Sequence, residues 1–279
     1  MKKKTKLLIF IVAYNAEKTI ESVIKRIPKS LFNKFNLEVI IIDDASQDST
    51  SQISKKLKKF NKSKFKLNIF CNPVNQGYGG NQKIGYHYAI KNNFNYVVLL
   101  HGDGQYAPEE LPKLLKDIEI NKFDVVIGSR MISKKRALKG GMPVYKLVGN
   151  VILTKIQNFL LGSELAEFHS GYRVYSVKSL KKIPFFLNTQ DFHFDTEILI
   201  QFFLINSKII EVSIPTFYGD EICHVNGLKY AFNIILTTLI AKFQKTFGFS
   251  LSKKYQITNS NKNKFQNINK LLIQARIKN

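Results

Sequence analysis

Two short acidic stretches and a handful of arginines are the residues here with the types and spacing to do chemistry. Asp43 and Asp44 are adjacent, and His101-Gly102-Asp103-Gly104-Gln105 sets an isolated carboxylate between glycines. A hard divalent cation is often held by only one or two carboxylates, with phosphate oxygens and water completing its shell. Asp103 is a carboxylate of the type such a site uses, with His101 two residues before it. The chain has five arginines, Arg26, Arg130, Arg136, Arg173 and Arg276, against many more lysines. A guanidinium fork matches phosphate oxygens, so Arg130 and Arg173 are candidate phosphate contacts. Glu167 is a candidate general base if the group to be activated is a hydroxyl. His87, His169, His193 and His224 lack tight ligand spacing and read as structural.

These groups need elements that bring them together. Nearly continuous apolar runs at Leu7–Ala13, Leu37–Ile42, Leu67–Phe70, Tyr96–Leu100 and Asp124–Ile127 alternate with helical patterns at Glu17–Ile27, Thr50–Phe60, Asn81–Lys91 and Pro108–Ile120. Runs buried on both faces and alternating with helices predict an α/β fold with a mostly parallel, Rossmann-like sheet flanked by helices. Ligands of such sheets bind outside the carboxyl ends of the strands. Those ends deliver Tyr14-Asn15, Asp43-Asp44, Asn72, His101 to Gln105, and Arg130 to one edge. Beyond Gly128, residues 129–141 read as a basic loop, Val144–Leu161 as a helix and Gly162–Gly171 as a second loop. Arg173–Ser176 and Ile209–Ile214 read as strands, with a helix near Thr196–Leu204. Asp195 and Glu197 at that helix start suit its dipole as well as they suit catalysis. From Tyr255 the chain is rich in Asn and Lys, as in a loosely packed tail.

Composition narrows the classes. The chain has 279 residues, is 44% hydrophobic and carries 43 basic against 20 acidic residues, a net charge of +23. That charge suits an anionic partner, and a lysine-heavy composition accounts for it equally well. Cys71 and Cys223 are too far apart in sequence for a metal motif. Lys2-Lys3-Lys4 before Leu7–Ala13 imitates a signal peptide, but the short run reads as a buried first strand. No apolar run approaches the roughly 20 residues of a spanning helix. Gly77-Tyr78-Gly79-Gly80 is no dinucleotide fingerprint, because Gln82 stands where the last glycine belongs and the loop follows the third strand. There is no phosphate-binding Gly-Lys-Ser/Thr.

The ordered set Tyr14-Asn15-Ala16-Glu17, Asp43 to Thr50, Asn75 to Asn81, His101 to Glu109, Asp124 to Arg130 and Ser170-Gly171-Tyr172-Arg173 resembles the family 2 inverting glycosyltransferases of GT-A fold. Within that family it looks like the dolichyl-phosphate mannose synthase, or polyprenyl-phosphate glycosyltransferase, branch. The resemblance covers roughly residues 6–220. It implies a GT-A domain over 1–225, followed at 226–279 by a basic, helical tail that associates with membrane. It implies a donor-nucleotide site of Tyr14, Asn15, Glu17, Asp43, Asp44, Gly77, Gly79, Lys83 and Gly102, with Asp43 facing the base and Asp44 capping its turn. The glycines let backbone approach the nucleotide, and Lys83 is a phosphate contact. Catalysis falls to Asp103, Gln105, Arg130, Arg173 and Glu167; Asp103 would ligate Mg²⁺ or Mn²⁺, and His101 reads first as a structural or supporting residue and second as a metal ligand or phosphate contact. The implied partners are a nucleotide-sugar donor and a polyprenyl phosphate at the cytoplasmic face of the membrane. Two residues depart from the family pattern: His101 replaces the first Asp of Asp-x-Asp, and Glu167 stands where Asp is usual. A saccharide hydroxyl as acceptor remains open at this stage, as does a non-catalytic polyanion-binding protein. No nucleic-acid recognition motif is present.

Overall fold

The structure, a computed structural model, describes residues 4–60, 65–120, 122–218 and 226–257. Cys223, His224, Arg276 and the tail beyond 257 lie outside the described residues.

One seven-stranded sheet organises the chain. Its strands are β1 (Lys6–Ala13), β2 (Asn36–Asp43), β3 (Lys66–Cys71), β4 (Tyr96–His101), β5 (Val125–Ser129), β6 (Arg173–Ser176) and β7 (Ile209–Ser213), in the order β3-β2-β1-β4-β6-β5-β7. Only β6 is reversed, pairing antiparallel with β4 and β5; the other pairs are parallel. The carboxyl ends of β1, β2, β4 and β5 therefore share one edge, as the sequence predicts.

The apolar runs are strands because both faces are covered. Leu7, Ile9 and Ile11 pack into one core with Ile20 and Val23, while Leu8 and Phe10 pack into the other with Ile84 and Phe194. Each fully buried side chain of this size stabilises by about 1.5–3 kcal/mol. The helices are α1 (Ile20–Lys25), α2 (Ser30–Lys34), α3 (Thr50–Phe60), α4 (Tyr78–Lys91), α5 (Leu111–Ile120), α6 (Lys134–Lys139), α7 (Val144–Leu161), α8 (Val177–Leu180), α9 (Phe194–Leu204) and α10 (Gly227–Phe247). Asp48 starts α3 by accepting from the Thr50 amide at 2.9 Å, an ordinary side-chain cap.

The expected basic loop at 129–141 is instead a 3₁₀ turn (Met131–Ser133) followed by α6. Lys-Lys-Arg-Ala-Leu-Lys is made of good helix formers, and Ala137 buries itself against Met131 and Met142. The two glycines that suggest a loop are the stop signal. At Gly140 a Cβ would lie 2.0 Å from the Thr216 carbonyl, and Gly141 has φ +86°. Helix α10, inside the expected tail, packs on α7 and α9.

Candidate active site

The first wall of the site is two loops laced together. After β1 the chain turns through Asn15, which has φ 48°. The Asn15 amide donates to Ser46 Oγ at 2.9 Å, and the Gln47 amide donates back to Asn15 Oδ1 at 3.0 Å. Glu17 accepts from the Ser49 amide at 2.9 Å, while its own amide donates to Asp48 Oδ2 at 3.1 Å. Asn15 and Glu17 thus shape the wall by joining the ends of β1 and β2. Tyr14 stands exposed beside them.

Asp43 and Asp44 differ in what they hold. Asp43 Oδ1 accepts from the Ser46 amide at 3.2 Å and from its hydroxyl, so the carboxylate faces its own loop at the end of β2. Burial pushes its carboxyl above the usual value, and the Ser46 bonds offset part of that. Asp44 Oδ1 accepts from Asn72 Nδ2 at 2.7 Å and the Gln76 amide at 2.8 Å, pinning the loop after β3.

The glycines of that loop serve protein packing. A Cβ at Gly77 would lie 2.7 Å from the Gln190 carbonyl, and one at Gly79 would lie 2.5 Å from that of Thr189. They admit the Thr189–Gln190 backbone. Lys83 is likewise directed elsewhere: its ammonium donates to the Asn188 carbonyl. Burial lowers its pKa to about 8.

The second wall is the turn after β4. Gly102 continues the sheet, its amide donating to the Val12 carbonyl at 2.8 Å, and Thr19 Oγ1 donates to the Gly102 carbonyl at 2.6 Å. Asp103 follows with its side chain 41% exposed. Asp103 Oδ1 accepts from the Gln105 amide at 3.0 Å, and Oδ2 lies 3.9 Å from His101 Nδ1. Partial burial pushes the Asp103 carboxyl up, but the His101 ring and the Gln105 amide outweigh it and hold it below the usual value.

His101 is oriented from behind. Its Nε2 lies 3.1 Å from the Tyr78 hydroxyl, which donates to Asp195 Oδ2 at 2.7 Å. A hydroxyl that spends its one hydrogen on Asp195 can only accept from His101. His101 then carries a proton on Nε2, and its Nδ1 faces Asp103. Gln82 Nε2 also donates to Asp195, at 3.1 Å. The contact passes over Gly171, where a Cβ would lie 2.5 Å from His101 Nε2.

The third wall carries Arg130, at the end of β5. Its Nε donates to Glu167 Oε1 at 3.0 Å, its NH2 donates to the same oxygen, and its amide donates to Oε2 at 2.7 Å. Asn150 of α7 adds a bond to Oε1 at 3.0 Å. Glu167 is fully buried and the Arg130 side chain is 10% exposed. Burial alone would raise the Glu167 carboxyl; the adjacent guanidinium more than cancels this and holds it below the usual value. Tyr106 joins the second and third walls, its ring 4.9 Å from the His101 ring and 5.9 Å from Arg130 Cζ. Arg130 NH1 reaches the Tyr218 hydroxyl at 3.3 Å.

Arg173 does not join this edge. It is fully buried and donates to the carbonyls of Ser170 at 2.7 Å, Asp195 at 2.6 Å and Phe168 at 2.7 Å. Its fork binds backbone in place of the expected phosphate and fixes the 168–171 segment against α9. Tyr78, Tyr106 and Tyr218 have no role in the sequence reading. Tyr78 and Tyr106 lie inside the quoted motifs, so only their partners, remote in sequence, were hidden. Asp195 and Glu197 do more than complement a helix dipole: both are buried, and Glu197 accepts from the Thr189 amide at 2.7 Å.

The donor set fits a hard cation of the kind that takes few protein ligands. Among the described residues no group of three or more His, Cys, Asp and Glu side chains gathers. The set is one exposed, ionised carboxylate with an oriented imidazole nitrogen beside it.

Comparison with known proteins identifies the family. Residues 8–184 match the family model described as Glycosyl transferase family 2. A UDP-N-acetylglucosamine–dolichyl-phosphate N-acetylglucosaminyltransferase of Methanococcus voltae is 29% identical over 249 residues, 86% of this chain and 97% of its own. An undecaprenyl-phosphate mannosyltransferase of Micrococcus luteus is 24% identical over 186 residues, 66% of this chain and 73% of its own. Among solved structures, glucosyl-3-phosphoglycerate synthase from Mycobacterium tuberculosis, in complex with Mn²⁺ and UDP-glucose, superposes with a TM-score of 0.62 at 18% identity, covering 85% of this chain and 79% of that one. That likeness concerns the fold, which is the GT-A fold.

Proposed function

The chain belongs to glycosyl transferase family 2, and on that footing we propose that it transfers a hexose from a UDP- or GDP-sugar to a polyprenyl phosphate, inverting the anomeric centre. One observation carries the choice of acceptor. Glu167, the carboxylate a hydroxyl acceptor would need as base, is buried and spent on Arg130. A phosphate acceptor is already ionised and needs no base. A guanidinium held rigid in the wall of the site suits an anion.

In this reading Asp43 and Tyr14 receive the base of the donor, in the wall built by Asn15, Glu17 and Asp44. Asp103, with His101 Nδ1 as its neighbour, would hold Mg²⁺ or Mn²⁺ on the donor diphosphate. When bound, the cation supplies charge stabilisation for the departing nucleoside diphosphate. Gln105 fixes the Asp103 carboxylate through its amide. Arg130 binds the acceptor phosphate and Glu167 positions Arg130. The acceptor oxygen attacks the anomeric carbon from the side opposite the diphosphate; the new carbon–oxygen bond forms as the bond to the diphosphate breaks. Arg173, Tyr78 and Asp195 are positioning residues, as are Gly77, Gly79 and Gly102 in the backbone. The protein works at the cytoplasmic membrane face as a peripheral enzyme. Among the described residues no helix is long and apolar enough to cross a membrane.

Supplying labelled UDP- and GDP-hexoses with polyprenyl phosphate or with saccharide acceptors tests this. Label in the lipid phase is the expected result. Label only on saccharide hydroxyls would overturn the acceptor assignment.

A further inference from the structure

Glu197, on α9, is fully buried and gathers bonds from three directions. Its Oε2 accepts from the Thr189 amide at 2.7 Å. Its Oε1 accepts from Thr237 of α10 at 3.3 Å and from the Lys254 ammonium. Lys254 belongs to a 3₁₀ turn, Lys253–Tyr255, that follows α10 and packs on α9. The turn is fastened twice more. Gln201 Nε2 donates to the Lys254 carbonyl at 2.9 Å and to Asn188 Oδ1 at 2.8 Å, and the Tyr255 hydroxyl pairs with Thr237.

The segment that these groups hold, residues 188–192, lies against the donor side of the site. The Gly79 amide donates to the Gln190 carbonyl at 2.8 Å, and the Phe192 ring stacks on the Tyr78 ring with centroids 5.3 Å apart. Tyr78 in turn orients His101 beside Asp103. A buried ion pair adds little stability over apolar side chains of similar volume. What Glu197 supplies that an apolar side chain could not is an acceptor for the Thr189 amide. What Lys254 supplies is a counter-charge that fixes the carboxylate in place.

We infer that the Lys253–Tyr255 turn is a strap on the donor side of the site, with Glu197 and Lys254 as positioning residues that set the 188–192 segment, and through it Tyr78, for donor binding. This rests on the reading of a nucleotide-sugar donor held at Asp43 and Asp103.

The chain contains no tryptophan, so Phe192→Trp places a single fluorophore on the segment. In that background, free of metal and nucleotide, Lys254→Met should move the emission to longer wavelength and increase its quenching by acrylamide. In the otherwise native chain, Lys254→Met should weaken calorimetric binding of UDP or GDP in the presence of Mn²⁺ by about tenfold, the lower end of the effect of partners behind a metal ligand. All measurements are made below the melting temperature of each variant. Should Lys254→Met fold poorly, Lys254→Gln, which keeps a donor without the charge, carries the same readings. Nucleotide affinity that stays at the wild-type value in the folded variant would overturn the inference, whatever the fall in melting temperature. Weakened affinity with unchanged emission would overturn the route through the 188–192 segment. Wild-type protein that binds neither nucleotide would remove the donor reading and this role with it; wild-type binding that the variant matches removes this inference alone.

Discussion

The Tyr78 hydroxyl lies 3.1 Å from His101 Nε2 and donates its own hydrogen to Asp195 at 2.7 Å. A residue at the head of α4 thereby orients a histidine at the end of β4. The histidine that replaces a carboxylate in the family pattern is built in, with its other nitrogen turned toward Asp103. Partners of this kind behind a ligating histidine typically account for 10- to 100-fold in metal affinity.

Tyr78→Phe is therefore expected to weaken Mn²⁺ binding, in the presence of UDP, by 10- to 100-fold while the protein stays folded. Calorimetric titration of Mn²⁺ reads this directly. Unchanged affinity would mean that His101 takes no part in holding the metal.

Gly171→Ala should damage the same contact from the other side. The added methyl would lie 2.5 Å from His101 Nε2 and 2.8 Å from the Tyr78 hydroxyl, so the ring has to move. Overpacking of this kind costs about 1–3 kcal/mol. A fall in melting temperature together with weakened Mn²⁺ binding is expected. A variant matching wild type in both would show that the ring has room.

Glu167→Gln leaves the Arg130 guanidinium buried without its counter-charge. Removing one partner of a buried ion pair costs about 3–5 kcal/mol. Urea unfolding should register that loss. Transfer to polyprenyl phosphate should weaken without vanishing, since Glu167 acts by holding Arg130. Complete loss of turnover in folded protein would instead make Glu167 the base.

Acid should destabilise the fold through His169. Burial lowers its pKa from 6.5 to about 4. Below pH 6.5 the unfolded chain binds a proton that the native site refuses, so stability falls as pH falls. The loss levels off near pH 4, where both states are protonated. The full shift corresponds to about 3 kcal/mol. His169→Gln should flatten unfolding free energy between those pH values; an unchanged slope would assign the acid sensitivity to other groups.

The strands were legible because apolar runs buried on both faces leave no other reading, and β6 was placed to the residue. The site edge followed from strand polarity. Hydrogen-bond partners remote in sequence could not be read that way. Lys83 and Arg173 have the charge of phosphate ligands, yet one reaches the Asn188 carbonyl and the other the carbonyls of Ser170, Phe168 and Asp195. Which way a cation points depends on the loop packed beside it. Gly77 and Gly79 show the same limit: a glycine signals close approach without saying whether ligand or backbone approaches. At α6 lysine density and a following Gly-Gly together resemble a loop, yet the first is helix-forming and the second ends the helix.

The most direct test of sugar transfer from a metal-held donor is release of nucleotide from UDP- and GDP-hexoses, with Mn²⁺ or Mg²⁺, with and without a short polyprenyl phosphate. In wild-type protein the lipid should stimulate release, and in folded Asp103→Asn the release should be lost. Lipid-stimulated release that persists in Asp103→Asn, or the absence of release from every donor with either metal, would contradict the account.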